Sequence, residues 1–387
     1  MKITRISSLV VNANMRNWIF VKIETDQDGL YGWGESTLEW KTAGVVGSIE
    51  DISRLLIGED PRRIEHLYQI MTRQYFWRAG IEGMSAISGI EQALWDIKGK
   101  ALNVPVYELL GGRVRDTVRL YNHLGGGQMN VMYESTETTA FAENALAIKE
   151  SGYTAIKFMA VPCTAPVEGR RQVRQAARYV EAIRNAVGDE MDLMVDLHGR
   201  TWPAMGIAYC QALEPYGLLF FEEPCPTEDI DATLQVTRQS KIPIATGERL
   251  IGMAQFRELI SRRACHIIQP DLSHCGGLWE ARKIAAMAEA HQIAVAPHNP
   301  NGPIATAAAI HFATATPNWI IQEAITNDVP WRNDVVINPV EVVNGHAVIP
   351  TRAGLGIDIN EDEAARHPFK AEAMQRSFHA DGAVADW

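Results

Sequence analysis

Six residues able to bind a cation or move a proton, Asp196, Glu222, Glu248, Asp271, His298 and Glu323, stand 26, 26, 23, 27 and 25 residues apart. Each ends a short apolar run: MDLMVD, LLFFEE, IPIATGE, CHIIQPD, IAVAPH and WIIQE. Three carboxylates on neighbouring runs would suit a hard cation such as Mg2+, which takes oxygen ligands and keeps positions open for substrate or water. Asp196, Glu222 and Glu248 are therefore the expected metal ligands; for any one alone, a solvated loop or helix cap is the alternative, and their equivalent placement argues against it. Asp271 and His298 can form a dyad in which the carboxylate fixes the imidazole tautomer and raises its basicity. His198 follows Asp196 by two and should share its strand face, as a general acid would, or else cap the next helix. Glu323, if protonated, could donate to a substrate carboxylate as charge develops there; the alternatives are that Glu323 pairs with a nearby cation and Asp271 opens a turn.

Residues so far apart converge only if the fold gathers strand ends. Between most runs lie amphipathic, helix-length stretches such as GLWEARKIAAMAEAHQ. Apolar strand, helix, apolar strand is the pattern of a parallel sheet, and a closed (β/α)8 barrel opens all its strand C-termini onto one face. VRLYNHL near 118–124 and TAIKFM at 154–159 supply the two further strands. Ahead of them, ITRISSLVVN, WIFVKIETD and GLYGWGE read as antiparallel strands with a hairpin at DQDG, followed by helices near 42–57, 62–74 and 84–101. The expected fold is α/β: a modified TIM-type barrel over 116–335, an α+β capping domain over 1–115, and a segment, 336–387, that turns at Asn344–Gly345 and returns to the capping domain. Glu223 should face away from Glu222.

The 387 residues suffice for a barrel of roughly 250 plus a smaller domain. A net charge of −11 without a Lys/Arg-rich tract argues against nucleic acid and anionic membranes. No apolar run approaches a membrane span, and the first residues lack a secretion-signal core. Five cysteines, Cys163, Cys210, Cys225, Cys265 and Cys275, in no paired motif point to a reducing cytoplasm.

The motifs KFM, VDLHGR, FFEEP, TGER, QPDLSHCGG, APHNPNGP and IQEA, in this order, resemble the enolase superfamily and its mandelate racemase subgroup. The likeness runs from WIFVKIET and GWGE through ALWDIKGKALNVPVYELLGG to GLGIDIN and Trp387; DLHGR, GER, PDLSHCGG and the spaced PH.P.GP pattern resemble galactonate dehydratases in particular. The resemblance implies Mg2+ on Asp196, Glu222 and Glu248, with His298, paired with Asp271, as base, His198 as acid and Glu323 stabilising an enediolate. Lys157 matches the first lysine of the subgroup's Lys-x-Lys motif, but Met159 occupies the second position, and a thioether cannot abstract a proton. Two-base racemisation is thereby disfavoured. Met159 also stands where galactonate dehydratases carry Asn, and Asn299 where they carry Cys.

Substrate contacts are expected from Lys157, Met159, His123, Asn299, Trp40 and Trp331, and from loops near Asn14–Trp18 and Glu39–Trp40. The expected activity is dehydration of an acid sugar, D-galactonate first and another hexonate or pentonate next, to a 2-keto-3-deoxy acid, by a cytoplasmic homo-oligomer. An epimerase or cycloisomerase on the same scaffold is the alternative, and a non-catalytic barrel the third reading.

Overall fold

A computed structural model describes residues 1–125, 137–161, 165–373, 376–379 and 381–386. Cys163 and Trp387 lie outside the described residues. Strands β1 (Ile3–Ala13), β2 (Arg16–Thr25) and β3 (Tyr31–Glu35) form an antiparallel sheet in that order. Against it pack helices α1 (Thr42–Leu56), α2 (Ile64–Arg73) and α3 (Ile81–Leu102). The α3 helix ends where the sequence says it must: Asn103 takes the left-handed conformation and Pro105 follows. Strand β3 meets α3 at backbone contact. A Cβ on Gly34 would lie 1.9 Å from the Gly89 carbonyl, so neither surface tolerates a side chain at that crossing.

After a short helix α4 (Val106–Leu109), eight strands run in parallel: β4 (Val118–His123), β5 (Ala155–Phe158), β6 (Asp192–Asp196), β7 (Phe220–Glu222), β8 (Ile244–Thr246), β9 (Ile267–Ile268), β10 (Ala294–Val295) and β11 (Gln322–Glu323). Each pairs with the next from β4 to β10, and β11 pairs with β4. The ring closes through a parallel bridge between Val295 and Trp319. Described helices follow: α5 (Thr138–Glu150) before β5, α6 (Arg170–Val187), α7 (Pro203–Leu213), α8 (Ile230–Gln239), α9 (Gly252–Ser261), α10 (Leu278–Ala290) and α11 (Pro303–Ala315). The modification is at the end, where β11 leads into turns rather than an eighth outer helix.

One inward residue per strand fills the barrel: Tyr121, Ala155, Met194, Phe220, Ala245, Ile267, Ala296 and Ile321, an apolar cluster distinct from the main core. Because side chains alternate across a strand, the next inward position lies two residues on. That layer reads His123, Lys157, Asp196, Glu222, Gly247, Gln269, His298 and Glu323. An apolar plug thus lies directly beneath a polar layer.

Two buried glutamates of the capping domain fasten it to the barrel loops that follow β9 and β10. Glu91 on α3 accepts from the backbone N–H of Leu278 (2.7 Å) and Trp279 (3.0 Å), covering the start of α10. Glu35 on β3 accepts from Gly302 N (2.6 Å) and Ala305 N (2.8 Å), covering the start of α11. Burial raises both groups, Glu91 to about 7, and these free amides and the helix dipole work against that rise.

The C-terminal segment divides its contacts. Strands β12 (Val336–Ile337) and β15 (Asp358–Ile359) pair with each other, while β13 (Val342–Val343) and β14 (His346–Ala347) make the expected hairpin, with positive φ at Asn344 and Gly345. That hairpin joins the start of barrel strand β4 rather than the capping sheet. The return to the capping domain comes later, through pairs such as Asn12 N to His367 O at 2.8 Å.

Candidate active site

At the strand C-termini a cleft of about 700 Å3 opens between barrel and capping domain. From the barrel come His123, Lys157, Asp196, His198, Glu248, His274 and His298; from the capping domain come Met15, Arg16, Leu38, Glu39, Trp40 and Ile81. Glu222, Asp271 and Glu323 lie buried just beneath this surface.

Asp196, Glu222 and Glu248 offer oxygens that all lie within 4.8 Å of one another. Register explains the first two: Asp196 and Glu222 are direct partners on β6 and β7. Glu248 reaches the group differently. The inward position of β8 is Gly247, whose φ of +133° turns the chain so that the next residue projects over the mouth. Glu222 Oε2 and Glu248 Oε2 are buried without a hydrogen-bond partner among the described residues. Burial and repulsion from neighbouring carboxylates, Asp196 and Glu223 foremost, push both groups well above the usual carboxylate range. Converging hard oxygens with unsatisfied lone pairs and excess negative charge fit a divalent cation.

Lys157 supplies positive charge beside that triad. Its Nζ lies 3.2 Å from Asp196, 2.8 Å from Glu222 and 3.0 Å from Glu323. Burial opposes its charge, but Glu222 and Glu323 outweigh that effect and hold it protonated. Glu323 differs from the expected proton donor. Burial disfavours its charge, yet Lys157, His298 and His123 pull it well below the usual range, so it is ionised and accepts. Its partners are His123 Nε2, Lys157 Nζ and, at 2.7 Å, the backbone N–H of Asn299. The alternative, a carboxylate paired with a nearby cation, here Lys157, describes it.

Asp271 Oδ2 lies 2.7 Å from His298 Nδ1, leaving Nε2 facing the cleft 3.7 Å from Glu248. Asp271 is itself fixed by Ser273 N at 2.6 Å and Asn301 Nδ2 at 3.0 Å. Burial works against a charge on His298, but Glu323 and the Asp271 hydrogen bond prevail and raise its pKa to about 9. At the other end of the triad His198 Nε2 lies 3.3 Å from Asp196. His198 has φ +49°, and its N–H donates to Asp196 Oδ1 at 2.9 Å. Glu223 lies behind it: the buried carboxylate takes Arg249 at 2.7 and 3.2 Å, and Arg249 donates to the His198 carbonyl at 3.2 Å.

Of the expected substrate contacts, Lys157, His123 and Trp40 line the cleft, whereas Met159 faces a narrow side void with His123, Lys157 and His198. Two positions differ from expectation. Asn299 is buried behind Glu323, bonded to its carbonyl and to Thr306. Trp331 stacks on His367 with ring centres 4.3 Å apart and donates to the Asn12 carbonyl, because the turn after β11 passes under β1 rather than over the mouth.

The sequence also concealed one cleft residue. His274 lies 3.6 Å from Asp271 and receives or donates a 2.8 Å hydrogen bond at Ser85 Oγ. Its signal was its spacing from Asp271 in a one-turn segment, which brings i and i+3 together. Arg16 and Glu39, paired at 2.6 Å, lie in the two loops expected to contact substrate, although nothing in the sequence signalled that they pair. The four described cysteines are buried, and burial pushes Cys225 and Cys265 up to about 12, against the thiolate form.

Residues 140–363 match the model of the enolase C-terminal domain-like family, and residues 6–111 match the mandelate racemase/muconate lactonizing enzyme N-terminal domain. The chain belongs to the enolase superfamily. Within this superfamily of enzymes its relatives include proteins named D-galactonate dehydratase from Pectobacterium atrosepticum and Ralstonia nicotianae, each 38% identical with both chains covered in full. A mandelate racemase/muconate lactonizing enzyme from Jannaschia sp. CCS1 superposes with a TM-score of 0.88 at 34% identity, covering 96% of this chain and 98% of that one. A superfamily member from Salmonella Typhimurium gives 0.88 at 30%, covering 95% and 98%. No helix among the described residues of this superfamily member is long and apolar enough to cross a membrane.

Proposed function

We propose that the protein is a Mg2+-dependent acid-sugar dehydratase that removes water across C2 and C3 of an aldonate, D-galactonate being the first substrate to test. The observation that carries this reading is the placement of one imidazole at each end of the carboxylate triad, His298 beside Glu248 and His198 beside Asp196. One base and one acid facing each other across a site is what an elimination requires. The full-length likeness to proteins named D-galactonate dehydratase supports the substrate class.

Asp196, Glu222 and Glu248 would hold Mg2+, which supplies positive charge that acidifies the proton next to the substrate carboxylate and offsets the field that otherwise keeps His298 protonated. His298 Nε2 accepts the C2 proton, with Asp271 holding Nδ1 as the donor tautomer. Lys157, held by Glu323, keeps positive charge where negative charge develops on the substrate carboxylate, and His123 donates its Nε2–H to Glu323. His198 gives a proton to the 3-hydroxyl as the C3–O bond breaks and the C2–C3 double bond forms. Water leaves, and the resulting enol tautomerises to the 2-keto-3-deoxy acid. Met159 provides no base on the Lys157 side, which disfavours epimerisation.

The test is incubation of a stereochemically complete set of acid sugars with Mg2+ in D2O, following C2 deuterium by NMR and keto product with a carbonyl reagent. Wild type should give a keto acid. His298→Asn should give neither exchange nor product, and His198→Asn should keep C2 exchange while losing product by about 10² to 10⁴ in rate. Normal product formation by His198→Asn would remove it as the acid, and exchange without any keto acid from wild type would favour an isomerase.

A further inference from the structure

The two capping-domain loops that reach the cleft, one carrying Met15 and Arg16 and the other Leu38 to Lys41, are tied together twice. On the cleft side the tie is the Arg16–Glu39 ion pair. On the far side it is a residue of the C-terminal segment. Glu372 Oε1 accepts from Asn17 N at 3.1 Å, and Oε2 accepts from Trp40 N at 3.1 Å and Thr42 Oγ1 at 3.4 Å. Each carboxylate oxygen thus takes one loop.

The surrounding segment is anchored to hold that carboxylate in place. The Asn17 side chain donates to Lys370 O at 2.9 Å and accepts from Lys370 N at 3.2 Å, a closed two-bond pair. Upstream, His367 is fixed by its carbonyl, which accepts from Asn12 N, and by the Trp331 ring stacked on its imidazole. Downstream, Asp386 lines the cleft itself. Both loops include non-glycine residues at positive φ, Asn14 and Trp40 at +58°, and such backbone persists only where its surroundings determine it.

We propose that Glu372 is a positioning residue for substrate binding: it sets the spacing of the Arg16 and Trp40 loops, and so makes the C-terminal segment a determinant of affinity for the part of the substrate that lies against the capping domain. This rests on the acid-sugar reading of the same cleft. A carboxylate suits the task because it has two acceptor atoms at fixed separation and no donor; a glutamine would turn its NH2 toward one of the two backbone N–H groups. The proton-transfer groups, His298 and His198, and the charge-stabilising Lys157 belong to barrel strands and the turns at their ends, so loosening the loops should act on binding rather than on the chemical step.

The experiment compares wild type, Glu372→Gln and Glu372→Ala by steady-state kinetics on the best acid sugar and by amide hydrogen exchange of the metal-free protein. Glu372→Ala should raise KM roughly tenfold, because the loops must then be ordered by the ligand, with kcat within about twofold. Glu372→Gln, which keeps the shape and one acceptor, should fall between. Exchange should quicken at Asn17 and Trp40 while the barrel amides stay protected, which separates loosened loops from a misfolded variant. Equal KM in all three proteins, a fall in kcat with KM unchanged, or unaltered protection at Asn17 and Trp40 would each overturn the proposal. If wild type turned over no acid sugar, the functional reading would fall instead, and protection at the two amides would still decide whether Glu372 ties the loops.

Discussion

Replacing Asp271 with asparagine should alter His298 in two separable ways. The imidazole has its pKa raised from 6.5 to about 9, a preference for the protonated form of about 3 kcal/mol at 1.36 kcal/mol per pH unit. Glu323 contributes to that rise and remains in the variant, so only the Asp271 share is lost, and the His298 titration should fall by roughly 1 to 2 pH units. The second effect is on the tautomer. Asp271 Oδ1 accepts from Ser273 N, while Oδ2 faces His298 Nδ1 and Asn301 Nδ2. An asparagine has a single acceptor oxygen. If it satisfies the rigid Ser273 backbone donor, its NH2 meets His298 Nδ1, which must then be the acceptor, and the proton moves to Nε2, the atom that should receive the substrate proton. Turnover should therefore fall by about 10² to 10⁴. Histidine ring protons of the metal-free protein followed by NMR from pH 5 to 10, assigned with His298→Asn, would show the first effect. The raised folded value also means that the stabilising contribution of His298 is complete below about pH 6.5 and is lost as pH rises through about 9, so metal-free wild type should lose stability over that window more than Asp271→Asn does. A variant whose His298 still titrated near 9, or whose turnover matched wild type, would refute the dyad.

Chelator treatment should abolish turnover and Mg2+ should restore it, while Glu222→Gln should weaken Mg2+ binding, read by calorimetry, by at least about tenfold without unfolding the barrel; full activity of metal-free protein would end the metal assignment. Gly34→Ala should cost about 3 kcal/mol or more, or prevent folding, because the new Cβ would sit 1.9 Å from the Gly89 carbonyl. Gly47→Ala on α1, where a Cβ meets nothing within 4 Å, should instead be neutral or stabilising by up to about 1 kcal/mol. Urea midpoints of the two variants would show whether close backbone approach, rather than loss of a glycine as such, decides the outcome.

The sequence by itself determined the barrel and most of its polar layer. Alternation within a strand is local, so an apolar run fixes which residue next points inward, and Asp196, Glu222, His298 and Glu323 could be placed from that pattern alone. The dyad was legible for the same reason, since sequential strands put their ends side by side. What the pattern did not contain was any information about contacts between distant segments. Glu248 lies one residue off the inward position and reaches the mouth only because Gly247 bends the chain. Glu323 has the right place, but what lowers its pKa is led by Lys157, from a strand far away in sequence, with His298 and His123 adding to it. Trp331 and Asn299, both near the mouth by position, were turned aside by packing against β1 and behind Glu323. The Glu372 tie behind the cleft's outer wall exists only once the two ends of the chain meet, because a hydrogen bond spanning more than 300 residues leaves no periodic trace in the sequence.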